Sequence, residues 1–237
     1  MRAMNALDET PADDLFTGFT MVNERMQPVK TVELPIEGMM NQRQLCDCFI
    51  RYQYENGFFG YISNKLFRRS LLEKSGARFP VGVTLAEDLD FYSKLYPAVE
   101  WAYFLREKSF FYLQTQENYI HNPKIDYFSQ MQIQLDIRTW FRQSGLYEVY
   151  QAVLDKRIAQ YAYYILFDAN ERKADVKAAF RTLCEREEIM SAVLPAYGKG
   201  FERLILRALA KENLWAIRSM FALRNGIRRL YRTVRRA

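Results

Sequence analysis

Six of the seven prolines fall at or before position 123, and the rest of the chain contains one, Pro195. Proline cannot sit inside a helix without losing a hydrogen bond and clashing with the preceding turn. A chain divided in this way can run long helices only in its second part, and its first part must be built from short pieces. The patterns agree. Leu15 to Val22 is aromatic and β-branched, Asn23-Glu24-Arg25 is a polar turn, and Val29 to Leu34 alternates with a period of two before Pro35, which predicts a hairpin. Asn41 to Tyr54 places Leu45, Cys48, Phe49 and Tyr52 at helical spacing, closed by Gly57. A helix is expected from Lys65 to Lys74, stopped by Gly76, and another that Thr84 caps and that ends before Pro97. Phe79 to Gly82 is irregular, and Trp101 to Leu105 and Ser109 to Leu113 read as two short strands. After Pro123 the apolar residues recur at three- and four-residue steps, predicting helices over 127–143, 146–168, 173–187 and 200–236. The expectation is an α/β part over 1–123 followed by an all-α part over 124–237.

Composition narrows the class. With 49% hydrophobic and 26% charged residues in 237, the chain is neither a disordered tail nor a disulfide miniprotein. No apolar run reaches membrane-spanning length, and Arg2, Asn5, Asp8 and Glu9 stand where a secretory signal would need an apolar core. Three cysteines cannot all pair, and a Cys-x-Cys with a single histidine supplies too few ligands for structural zinc, so reduced thiols in a cytoplasmic protein are expected. The net charge of +6 is unevenly placed. From Lys199 onward stand eleven Lys or Arg and two acids, which leaves 23 bases against 26 acids in everything before. A nearly neutral body with a basic end fits an anionic surface better than nucleic acid wrapped along the chain.

The chemistry concentrates between Gly60 and Asn122. Glu87 and Asp88 open a predicted helix, where the positive end of the dipole favours carboxylates, directly after a Pro/Gly loop that can approach a ligand. Such a carboxylate can take a proton from an attacking hydroxyl or bind a divalent cation, but acids at helix starts most often only cap. The surroundings add specificity. Ser63-Asn64-Lys65-Leu66-Phe67-Arg68-Arg69, then Arg78-Phe79-Pro80-Val81-Gly82, then Glu87-Asp88-Leu89-Asp90-Phe91 closely resembles the C-terminal half of a family-2 glycosyltransferase catalytic domain, and Phe110 to Ile120 looks like that family's next segment.

The resemblance implies a partial GT-A, Rossmann-like α/β fold, a nucleotide-sugar donor, a divalent cation (manganese or magnesium) and inverting transfer to an acceptor hydroxyl. It implies Asp88 as general base, Glu87 as the residue that positions acceptor or base, and Asn64, Lys65 and Arg68 on the substrate side. His121 is the candidate for an extra metal ligand, although a lone loop histidine more often faces solvent. The family's nucleotide-cradling strand-loop-helix and its Asp-x-Asp metal motif precede the region that aligns with residue 1. The expectation is therefore an acceptor-side portion that is inactive alone. Asp13-Asp14 reads as a strand-edge pair without a metal role. Asp88-Leu89-Asp90 spells Asp-x-Asp, but residues two apart on a helix diverge.

At the C-terminal end Met220, Leu223, Ile227, Leu230, Tyr231 and Val234 recur at helical spacing among seven arginines between 218 and 236. That composition suits a helix in a membrane interface, and the alternative is a helix packed on its own domain with a solvated face. The expected partners are a nucleotide sugar, a cell-envelope, lipid-linked or polysaccharide acceptor, and an anionic membrane surface through residues 200–237, on the inner face of the plasma membrane. Nucleic acid is not expected, since no binding motif accompanies the arginines. The competing expectation is a non-catalytic helical module, related to such an enzyme, that binds a membrane or a protein.

Overall fold

Strand β1 (Asp14–Val22) is buried along all nine of its residues, because partners cover both of its edges. On one edge β2 (Pro28–Val32) pairs antiparallel with its C-terminal half, and β4 (Lys65–Phe67) pairs antiparallel with its first three residues. On the other edge runs β5 (Trp101–Leu113), parallel to β1 over its full length, and β3 (Gly38–Asn41) adds antiparallel to β5. A parallel neighbour requires a long crossover. Here α2 (Gln42–Asn56), α3 (Arg69–Ser75) and α4 (Glu87–Leu95) lie within it, with single 3-10 turns at Phe58–Gly60 and Tyr96–Ala98. The computed structural model describes residues 2–82, 85–115, 125–195 and 197–234.

An aromatic core holds the crossover to the sheet. Phe16 on β1 stacks on Phe104 of β5 with centroids 4.7 Å apart, and Phe58, Phe59 and Tyr96 close round it. The Tyr96 hydroxyl donates to the Phe59 carbonyl at 2.8 Å, so the buried phenol is satisfied. Asn41 caps α2 through the Gln44 N–H while the Gln44 side chain accepts from the Asn41 N–H, a reciprocal box, and Gly57 ends the helix at φ 75°.

The helices after the sheet are α5 (Tyr127–Gln143), α6 (Tyr147–Glu171), α7 (Val176–Cys184), α8 (Glu187–Val193), α9 (Gly200–Ala210) and α10 (Leu214–Val234). The chain resolves into two units, one of residues 1–126 and 136–150, the other of 127–135 and 151–237. The second unit has its own apolar cluster, which includes Ile158, Leu166, Leu183, Ile205, Leu209, Ile217 and Phe221. The architecture is the expected mixed α/β sheet followed by helices.

Several local expectations are corrected. Lys65 to Phe67 is strand rather than helix, since pairing with β1 satisfies its backbone and the helix starts only at Arg69. The two strands after Pro97 are one, β5, carried through by continuous pairing with β1. The segment 173–187 shortens to α7, capped by the Asp175 carboxylate, with α8 following separately. The last helix breaks at 211–213, where Glu212 adopts φ 49° and the Asn213 side chain accepts the Ala216 N–H. Thr84 lies outside the described residues, and the cap position of α4 is Ala86, in the left-handed region without a side-chain cap. β3 and the first helix, α1 (Arg2–Asp8), went unanticipated.

Gly18 marks the tightest point of the sheet. The register with β5 shifts there, and a Cβ would come within 2.9 Å of Glu33 Cβ and 3.2 Å of the Val32 carbonyl oxygen. Overpacking of this kind costs about 1–3 kcal/mol. Gly18→Ala should therefore lower the unfolding free energy by about 2 kcal/mol, read as a reduced urea midpoint with an unchanged slope.

Candidate active site

Three short elements meet at the N-terminal end of β1. Register sets Lys65 opposite Phe16 and Phe67 opposite Asp14, and residues two apart on a strand share a face, so Asp14, Phe16, Lys65 and Phe67 project together. Asp14 is fully buried, and neither carboxyl oxygen has a hydrogen-bond partner. The Leu15 N–H is close enough to lower its pKa without being aligned to bond it. Burial dominates and pushes the Asp14 carboxyl up to about 8, against a smaller pull from Lys65.

Lys65 is buried too, and burial lowers its amine to about 7, opposed by the carboxylates of Asp14 and Asp88. Its Nζ lies 4.4 Å from the ring centroid of Tyr92 and 5.4 Å from that of Phe16, and it donates to Asn64 Oδ1 at 2.7 Å and to the Tyr61 carbonyl. Asn64 is locked in turn: its amide donates to the Phe58 carbonyl, and its own carbonyl accepts the Thr17 N–H.

Asp88 stands in the first turn of α4, which Ala86 enters at φ 59°, a conformation that costs a non-glycine residue roughly 1–2 kcal/mol. The Asp88 carboxyl is half-buried and lies near the Ile62 backbone N–H. Its pKa is raised, first by burial and then by neighbouring Glu87, while the Ile62 N–H and Lys65 pull it down. The sequence argument held that the helix start keeps this group ionised. In the fold, desolvation and the adjacent acid outweigh the groups that favour charge. Glu87 itself is exposed.

The structure thus gathers Asn64, Lys65, Asp88 and Glu87 with Asp14 and Tyr92. Arg68 is held elsewhere: its guanidinium donates to the carbonyls of Leu7, Thr10 and Ala12 and fastens α1 to the sheet. His121 lies outside the described residues. Asp90 is buried and paired with Lys94, and Asp13 accepts the N–H groups of Glu100 and Trp101.

No protein-family model and no curated protein matches this sequence. Among solved structures, S. aureus TarS 1-349 in complex with UDP-GlcNAc, a glycosyltransferase, is similar at 15% identity and TM-score 0.51 over 95% of this chain and 63% of that one. The same protein in complex with UDP gives 16% identity and TM-score 0.49 over 95% and 62% of the two chains. The mixed α/β fold of this chain is similar to that of this TarS domain. This chain spans 63% of the length of TarS 1-349.

Sequence reasoning missed Asp14 and Tyr92. The Tyr92 hydroxyl is buried without a hydrogen-bond partner, and burial first, then the carboxyls of Asp14 and Asp88, raises its pKa. The available signal was an acid that begins a strand apolar on both faces, where only a deeply buried position is left for it. Among the described residues, no group of three or more His, Cys, Asp or Glu is placed to hold a metal ion. The described residues of the site do not form a divalent-cation cluster.

The buried pair gives stability an unusual pH dependence. Between the ordinary carboxyl value of 3.8 and about 8, the unfolded chain releases a proton that folded Asp14 keeps, so stability falls as pH rises. Between about 7 and the ordinary amine value of 10.5, unfolded Lys65 keeps a proton that the folded chain has lost, so stability climbs again. Urea midpoints measured across this range should pass through a trough near pH 7 to 8 from these two groups. The double variant Asp14→Leu/Lys65→Met should abolish the trough and hold or raise stability, since apolar replacement of a buried charge pair is often neutral or stabilising by about 1–4 kcal/mol.

Proposed function

We propose that this chain is the acceptor-side part of an inverting, nucleotide-sugar-dependent glycosyltransferase in which Asp88 is the general base. The observation that carries the reading is the Asp88 carboxyl: half-buried, raised in pKa and set beside Lys65, in a fold similar to that of a structure that holds UDP-GlcNAc. In the step envisaged, an acceptor hydroxyl attacks the anomeric carbon of the donor from the face opposite the nucleotide. The new C–O bond forms as the bond to the diphosphate breaks, and the hydroxyl proton passes to Asp88. A raised pKa suits the task, because a base closer to the working pH accepts the proton with less penalty.

Other groups support the base. Lys65, its amine fixed by Asn64 and the Tyr61 carbonyl, lowers the Asp88 pKa while it carries its proton. Glu87, exposed beside it, is placed to meet an acceptor hydroxyl. Cell-envelope, lipid-linked and polysaccharide alcohols are the acceptor classes in view, and any divalent cation at the diphosphate would need donors beyond the described residues. The second reading, a binding module without catalysis, draws its support from the outward apolar face of α10.

The test is transfer from a nucleotide sugar, followed as nucleoside diphosphate release by the full-length protein that contains this chain. Asp88→Asn should lower kcat by roughly 10²–10⁴-fold at an unchanged melting temperature. The acidic limb of the wild-type pH profile should lie above the ordinary aspartate value. Undiminished turnover in Asp88→Asn would remove the base assignment and leave the binding module.

A further inference from the structure

Helix α10 has two apolar faces, and only one of them is needed to hold it in place. Ile217 and Phe221 are buried in the core of the second unit. At 3.6 residues per turn, Trp215, Leu223 and Ile227 lie on the other side of the helix, and they are 78%, 67% and 47% exposed. Isolated exposed apolar side chains are ordinary, but three along one helix stripe, with only Ser219 and Gly226 between them, form a contiguous surface.

The cations around this stripe fall into two sets. Arg224 and Arg228 both bond the Glu171 carboxylate, at 3.0 and 2.9 Å, and Arg224 also covers the Phe167 ring, so this set fastens α10 to α6. The other set, Lys173, Lys177 and Arg218, lines a groove of about 520 Å³ on the flank of the stripe. The one carboxylate there, Asp175, is engaged by the N–H groups of Lys177 and Ala178 as the cap of α7. Arg218 and Ala222 line this groove and also the shallow hollow beside Trp215, so the cationic and apolar surfaces are continuous.

We infer that this surface docks on an anionic lipid bilayer, with headgroup phosphates in the groove and Trp215, Leu223 and Ile227 in the acyl boundary. An indole belongs at that depth, with its ring in the apolar layer and its N–H among the headgroups. A soluble polyanion would use the cations and leave the apolar stripe in water. A second copy packed symmetrically on the stripe would bring two cationic grooves together. The inference stands independently of Asp88 and of the transferase reading.

Co-sedimentation with vesicles tests it directly. The chain should pellet with equimolar phosphatidylglycerol and phosphatidylcholine and not with phosphatidylcholine alone. Lys177→Gln/Arg218→Gln should weaken partitioning roughly 25-fold, about fivefold for each cation removed from the surface. Trp215→Ser/Leu223→Ser should weaken it at least tenfold, at an unchanged melting temperature because both side chains are already exposed. Three results would overturn the inference: no pelleting with the anionic vesicles, loss in the charge variant alone while the apolar variant binds normally, or a dimer without lipid that the apolar variant dissolves. The second would point to a soluble polyanion and the third to self-association.

Discussion

A ladder of three residue pairs, β1 against β4, determines whether the candidate site exists at all. Set in register, it places Lys65 over Phe16, lets the Asn64 carbonyl take the Thr17 N–H, and brings the Asn64 amide to Phe58. Slipping the pairing by one residue would turn Lys65 to the opposite face and remove it from Asp14 and Asp88 together. The ladder is held from outside by Arg68, the residue after it, whose three bonds to backbone carbonyls fix where β4 must end.

That register has an electrostatic consequence. Lys65 is coupled to both Asp14 and Asp88, and the same two carboxyls act on Tyr92. Groups coupled in this way lose protons as a set rather than one by one. Asp88 is the least buried of the four, and in the proposed reading the charge state of Lys65 behind it would set how strongly it attracts an acceptor proton. An acid left unpartnered in the core is costly by itself. Here it lies beside the amine that tunes the candidate base.

What was legible in the sequence divides along physical lines. Elements whose burial pattern comes from their own periodicity were found: the β1–β2 hairpin, α2 with Asn41 and Gly57 at its ends, and α5 to its terminal residues. Elements decided by a distant partner were misread. Lys65 to Phe67 has helix-compatible residues and becomes strand only because β1 offers an edge, and the break at Glu212 depends on a left-handed residue that local propensity disfavours. At the site, the Glu87-Asp88 motif was visible because it is a local pattern. Asp14 was passed over because its role depends on Lys65, some fifty residues away, coming to the same face.

The basic end of the chain makes the same point about counting. Its eleven cations against two acids suggest a uniform positive surface. Folded, they do different work. Arg224 and Arg228 converge on Glu171 and act as structural clamps whose charge is largely neutralised locally. Arg218 lines the groove with Lys173 and Lys177, against the single carboxylate of the α7 cap, Asp175. A net charge fixes the strength of the far field, but the direction in which an anionic surface is drawn depends on the cations that remain unneutralised. Arg218 lines both the groove and the hollow beside Trp215, so in the docking inferred above attraction and apolar insertion would act on adjoining surfaces of α10.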